Sequence, residues 1–270
     1  MLCSAVLRAE RVNSEIDVTV WLGRTKAMKA TINQIVLGVS VAHIDNSRRP
    51  VKYSRKTNVS EDSPMANAKI ELQPDSTGLV IVDMQVEGCE RHGPGMPPVI
   101  GNIRRLLDRF RAVNGKIIHV QSVRTKDHPE FTVFGRPYGL LLGSPGADFV
   151  EELRPLPGEN VVQKTSHDCF YKTSMEATLE KLDLRPCRDK IVVTGIGSSN
   201  CVYHAVIGFH IRNYYSIVPE DCIHGVHPQA QPFALHQFRS GAYNFNVTVS
   251  HSDALKLVSE SIPLQRASAS

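Results

Sequence analysis

The chain has 270 residues, 41% of them hydrophobic and 21% charged, the balance of an ordinary globular protein. Its formal net charge of +4 belongs to residues 1–64, which carry 10 Lys/Arg and 6 Asp/Glu; the rest is balanced at 21 of each. That balance excludes the footprint of a nucleic-acid binder, and the lack of an eighteen-residue apolar run excludes a helical membrane span.

Six cysteines are scattered without a C-x-x-C spacing, which points to a reducing, cytoplasmic setting. The N-terminus carries Glu10, Glu15 and Asp17 early and has no apolar leader core, so neither a transit nor a signal peptide is expected. Residues 1–64 pattern poorly. Val18 to Leu22 and Gln34 to Ala42 read as short strands. Asp45 to Pro64 reads as a polar linker, and its basic run Arg48, Arg49, Lys52, Arg55 and Lys56 as a solvated stretch of it. The composition changes at Met65, which makes Met65 a candidate start; intact mass of the native protein tests this. The expected organisation is a poorly structured extension, 1–69, before one domain, 70–265.

From Thr77 the pattern is regular. Gly78 to Met84 is a continuous apolar run, a strand buried on both faces. Pro97 to Asn114 places Val99, Ile103, Leu106, Leu107, Phe110 and Val113 at helical spacing and stops at Gly115. Lys116 to Gln121 is a second strand. Two loops, 86–97 and 122–145, surround these elements. Ala147 to Leu153 reads as a short helix, Asn160 to Lys164 as a third strand, and Met175 to Leu184 as a helix. Lys190 to Thr194 is a fourth strand and leads through a small, polar turn into a helix from Cys201 to Arg212. Tyr215 to Val218, Pro228 to Arg239, Phe245 to Val249 and Ser252 to Ser261 continue as strand, helix, strand and helix. Such alternation predicts an α/β fold, a three-layer αβα sandwich with a six-stranded, mostly parallel sheet.

In these folds active sites form at the carboxyl ends of the strands. Three ends carry reactive groups: Asp83 on the first, Lys164 on the third, and the turn to Cys201 after the fourth. Each alone has a structural explanation. Together they supply a base, a cation and a nucleophile. Cys201 at a helix start also has the helix dipole to favour its thiolate. Cys89 and Cys169 read as inert thiols.

Four blocks then become recognisable: Val80-Ile81-Val82-Asp83-Met84-Gln85; Gly146 through Pro155; Val161-Val162-Gln163-Lys164 with Phe170 and Thr173; and Val193-Thr194-Gly195 through Asn200-Cys201-Val202. In this order they resemble the isochorismatase-like cysteine hydrolases, which include nicotinamidases, carbamoylsarcosine and ureidoacrylate amidohydrolases, and isochorismatases. The resemblance runs from about Thr77 to about Val258. It implies a catalytic Asp83–Lys164–Cys201 triad and an oxyanion hole built from the N–H groups of Gly197 and Cys201. It further implies a cis peptide at Ile196–Gly197 and a thioester intermediate that water hydrolyses with Asp83 as base.

Departures from the family narrow the activity. The metal-binding Asp-x-His of nicotinamidases is matched here by Ser122-Val123-Arg124, so no metal and no cofactor is expected. Arg124 is either a fork for a substrate carboxylate or an ion-paired arginine. Phe170 lines the pocket or packs in the core. Gln85 contacts substrate, orients Asp83 or pairs a backbone group, and His167 and Tyr138 sit on loops able to close over the site. Tyr203 and His204 read as helix packing. Ser198-Ser199-Asn200 departs from the family's Thr-bearing turn. The expected activity is metal-independent, cysteine-dependent cleavage of the C–N bond of a small amide or ureido compound. Isochorismatase-type vinyl-ether hydrolysis and a silent scaffold are the alternatives. The expected partners are a small-molecule substrate and further copies of the chain, not nucleic acid or membrane.

Overall fold

The computed structural model describes residues 5–12, 15–22, 25–32, 69–240, 243 and 246–258. The chain divides into two units, Met1–Asn58 and Val59–Ser270. The first is a three-stranded antiparallel sheet, β1 Ala5–Val12, β2 Glu15–Leu22 and β3 Thr25–Ile32, in the order β1-β2-β3. Of these strands, expectation supplied only the Val18–Leu22 part of β2. The expected strand Gln34–Ala42 and linker Asp45–Pro64 lie outside the described residues.

The second unit is built on parallel strands β5 Thr77–Val82, β6 Lys116–Ser122, β7 Asn160–Lys164, β8 Lys190–Ile196, β9 Tyr215–Pro219 and β11 Val247–Ser250, in the order β11-β9-β8-β5-β6-β7. These are the six expected strands. A two-residue strand, β10 Ile223–His224, adds a seventh; it continues along the edge of β8 where β9 leaves off. The chain starts in the middle with β5, winds outward to β7, and returns to β8 on the other side of β5. A crevice therefore opens between β5 and β8, where doubly wound folds place their sites.

Alternation along the strands sends side chains to two cores. Val80, Val82, Val120 and Val193 pack under α4 Met175–Lys181, α5 Cys201–Ile211 and α6 Ala230–Arg239. Leu79, Ile81, Ile117 and Val192 pack under α2 Met96–Ala112, whose buried stripe is Met96, Val99, Ile103, Leu106, Leu107 and Phe110. Each large apolar side chain buried this way is worth about 1.5–3 kcal/mol.

Four stretches differ from expectation, two of them because tertiary pairing overrides local pattern. Residues 86–97, read as loop, hold α1 Val86–His92. The block Ala147 to Leu153 is two 3₁₀ turns around an extended Asp148–Val150, not a helix. There the Val86 N–H donates to the Asp148 carbonyl at 2.9 Å and the Val150 N–H to that of Met84 at 3.1 Å. Ser252 begins a 3₁₀ turn and then strand β12 Leu255–Leu257, not a helix. β12 pairs with β4 Ile70–Leu72, and Arg109 donates to the carbonyls of Ser252 and Leu255. A short helix, α3 Pro129–Thr132, interrupts the 122–145 loop. No helix among the described residues is long and apolar enough to cross a membrane.

Candidate active site

The turn between β8 and α5 is shaped by two glycines. Gly195 has φ +119°, and a Cβ there would stand 2.1 Å from the Val82 carbonyl oxygen, so only glycine lets β8 pass β5 this closely. Gly197, at φ +77°, turns the chain toward the helix. Its carbonyl accepts the N–H of Asn200 at 2.7 Å and of Val202 at 3.1 Å, which sets Cys201 at the first helical position.

Asp83 follows β5 in a left-handed conformation, φ 55°, pinned by its N–H donating to the Val120 carbonyl at 2.9 Å. A non-glycine residue there is uncommon, and such backbone concentrates at functional sites. Lys164 ends β7 and is buried, 2% exposed. Its ammonium donates to Asp83 Oδ2 at 2.9 Å, Cys201 Sγ at 3.2 Å and the Ser166 carbonyl at 2.9 Å. All three N–H groups are thus used. Burial alone would lower the lysine pKa, but the charge of Asp83 and the hydrogen bonds to Asp83 and Cys201 outweigh it and the net direction is up. Lys164 is held as a cation.

The structure thus brings together the three residues singled out at the strand ends. Their protonation differs from the helix-dipole expectation. Burial, reinforced by the neighbouring Asp83 carboxylate, pushes the Cys201 thiol up to about 12 against the pull of Lys164. At rest the sulfur keeps its proton. Asp83 Oδ1 is buried and has no hydrogen-bond partner among the described residues, so this carboxylate has capacity for one more proton. Burial likewise raises Cys89, to about 12, and Cys169.

The other expected site residues divide. A cavity of about 460 Å³ at the crevice is lined by Asp83, Arg124, Tyr138, His167, Gly197 and Cys201 among others. Tyr138 stands at its rim, edge-on to Phe131 at 5.0 Å. His167 places Nδ1 3.2 Å from Cys201 Sγ. Arg124 is ion-paired: its Nη2 donates to Glu130 Oε1 at 3.1 Å, and its Nε stands 3.0 Å from Oε2, so the fork already holds a carboxylate of the chain itself.

Two residues are elsewhere. Gln85 is fully buried and clamps backbone, donating to the carbonyls of Ser122 at 2.9 Å and Ala147 at 2.7 Å and accepting the Ser122 N–H at 2.9 Å. Those bonds exhaust most of its capacity, so it positions the ends of β5 and β6 and does not line the cavity. Phe170 belongs to the core, edge-on to Phe209 at 5.0 Å with the Arg212 guanidinium 3.9 Å above its ring.

The oxyanion arrangement also differs. The described peptides are all trans, Ile196–Gly197 included, and the Gly197 N–H donates to the His224 carbonyl at 3.0 Å. Strand β10 supplies that carbonyl and takes up the donor expected to face the substrate. Cys201, as first helical residue, keeps an N–H with no acceptor inside its helix. Sequence reasoning missed Glu130, His92 and His227 on the cavity wall. Only Glu130 had a local signal, an acidic residue directly after the helix-starting His128-Pro129.

The isochorismatase domain profile matches residues 77–253. A ureidoacrylate amidohydrolase, RutB, of Agrobacterium fabrum is 29% identical over 194 residues, covering 61% of this chain and 83% of its own. The N-carbamoylsarcosine amidase of Thermoplasma acidophilum superposes with a TM-score of 0.55 at 27% identity, covering 66% of this chain and 97% of its own. A cysteine hydrolase of Pseudomonas syringae pv. phaseolicola shares the fold, with a TM-score of 0.59 at 19% identity and coverage of 69% and 93%. Parallel sheet, reactive strand ends and profile coincide over the same residues: the chain belongs to the isochorismatase-like cysteine hydrolases.

Proposed function

We propose that this enzyme hydrolyses the C–N bond of a small amide or ureido compound through a thioester on Cys201. The observation that carries the reading is the single ammonium of Lys164 bridging Asp83 at 2.9 Å and Cys201 at 3.2 Å. Asp83 takes the thiol proton as sulfur attacks the carbonyl carbon. Lys164 stabilises the negative charge passing between them. The Cys201 N–H faces the developing oxyanion, and Gly197 joins by exchanging the His224 carbonyl for it. One such donor is worth roughly a hundredfold or more in rate. As the tetrahedral adduct collapses, the departing nitrogen takes the proton from Asp83. Nucleophile and base are both side chains, so the reading routes no step through a metal.

The names of the relatives that cleave ureido and carbamoyl compounds support this substrate class. So does the cavity, about 460 Å³, within the range that encloses small molecules. The test is a panel of primary amides, ureido acids and isochorismate, assayed for ammonia and pyruvate with the full chain and its Cys201→Ser variant. Ammonia from amides or ureido acids, lost in the variant, is the expected result. Pyruvate alone, or ammonia release that survives Cys201→Ser, overturns it.

A further inference from the structure

His167 lies three residues past Lys164 and is no part of the triad, yet its Nδ1 is as near to Cys201 Sγ as Lys164 Nζ is, 3.2 Å. The ring is oriented from its other side. It stacks on His204, centroids 5.7 Å apart and planes at 26°. His204 Nδ1 is in turn 2.8 Å from the Asn200 carbonyl oxygen. The helix that presents the nucleophile therefore also holds the imidazole. Two bases flank one sulfur, and they differ in access. Asp83 is 6% exposed with one oxygen taken by Lys164, whereas His167 is an exposed residue of the cavity wall.

A thioester needs a base in its second half-reaction, when the acyl group sits on Sγ and the attacking water arrives from solvent. We propose that His167 is the deacylation base of this enzyme, so that Asp83 serves the thiol and His167 serves the water. The proposal rests on the cysteine-hydrolase reading above. As water oxygen bonds to the thioester carbon, its proton passes to His167 Nδ1. The C–S bond breaks with its electron pair going to sulfur. Sulfur then takes the proton from the imidazolium, which restores the thiol and the neutral ring and releases the acid. Nothing beyond water is consumed.

The surroundings suit the task. Besides the Cys201 thiol at 3.2 Å, the ring meets Lys164, His204 and Arg124, which disfavour imidazolium, and Glu130, which favours it; with partial burial, the leading cause, the net direction is below the ordinary histidine value. The ring is then neutral at neutral pH, ready to accept a proton.

The test separates the half-reactions without the natural substrate. p-Nitrophenyl acetate acetylates the sulfur of the full chain, and intact mass follows loss of the acetyl group between pH 5 and 8. In wild type the deacylation rate rises with pH and reaches half its plateau below pH 6.5, the ordinary imidazole value. In His167→Asn deacylation falls about a hundredfold, the usual worth of a positioned base. The acetyl-enzyme accumulates, the pH dependence flattens, and free imidazole restores part of the rate. Equal deacylation in wild type and variant, or equal loss of both half-reactions with no imidazole rescue, overturns the role of His167 alone. If Cys201 is never acetylated, the hydrolase reading fails and this proposal with it.

Discussion

Strand β7 starts at a partly buried charged cluster and ends at one that is almost wholly buried. At its start, Glu159 accepts from Arg111 Nε at 2.7 Å on one oxygen, and from Arg111 Nη2 at 2.9 Å and the Leu156 N–H at 3.0 Å on the other, with His119 Nε2 2.8 Å from that second oxygen. At its end, Lys164 meets Asp83 and Cys201. Both clusters join a carboxylate, a cation and a third titratable group. They differ in what is left over. Glu159 is saturated; burial would raise its pKa, but Arg111, the Leu156 N–H and His119 together bring it down to about 2. Asp83 retains a buried oxygen with no partner among the described residues. A saturated carboxylate has no proton to move, whereas one with a free oxygen beside a thiol has. Each cluster leaves one buried atom without a partner among the described residues, His119 Nδ1 in the first and Asp83 Oδ1 in the second, but only in the second is that atom a carboxylate oxygen beside a thiol.

The comparison can be broken at either end. The largest effect is expected for Cys201→Ser, which should lower turnover of any accepted amide by about 10⁴-fold or more, with the thermal midpoint nearly unchanged. Steady-state ammonia release and a melting curve check both. Next, Asp83→Asn should cost about 3 kcal/mol of stability, because it strands the buried Lys164 cation. The double variant Asp83→Asn/Lys164→Met should recover most of that in urea unfolding while remaining inactive. Recovery of activity in the double variant would remove the distinction between the clusters. Smaller still, Glu159→Gln should cost about 2 kcal/mol at pH 7 and leave turnover intact. The sign follows from the depressed carboxylate. Its contribution is complete above its ordinary value of 4.5 and is lost as pH falls toward about 2, so the gap between wild type and variant should narrow over that window. Acid titration of unfolding free energies reads it directly.

Much of this was legible in the residues. The apolar runs at β5 and β8, the helical stripe of α2 and the order of reactive strand ends depend on local pattern and on a strong rule of topology. What escaped depends on partners distant in the chain. Nothing near Gln85 announces that Ser122 and Ala147 will saturate its amide, and nothing near Gly197 announces that β10 will bring the His224 carbonyl to its N–H. Phe170 has the same composition around it whether it lines a pocket or meets Phe209. The thiol illustrates the same point in energy terms. A helix start favours thiolate, but burial and Asp83 outweigh it, and neither is visible in the turn itself. The 252–257 stretch folds as a strand because β4 offers it an edge.

The central claim is that Asp83, Lys164 and Cys201 act as one coupled charge unit. It is tested most directly by the pH dependence of Cys201 alkylation with iodoacetamide, followed by peptide mass in wild type, Asp83→Asn and Lys164→Met. The carboxylate raises the thiol and the ammonium lowers it. The midpoint should therefore lie above the ordinary thiol value of 9.0 in wild type, fall in Asp83→Asn, and rise in Lys164→Met. A midpoint that stays in the same place in all three proteins would contradict the account.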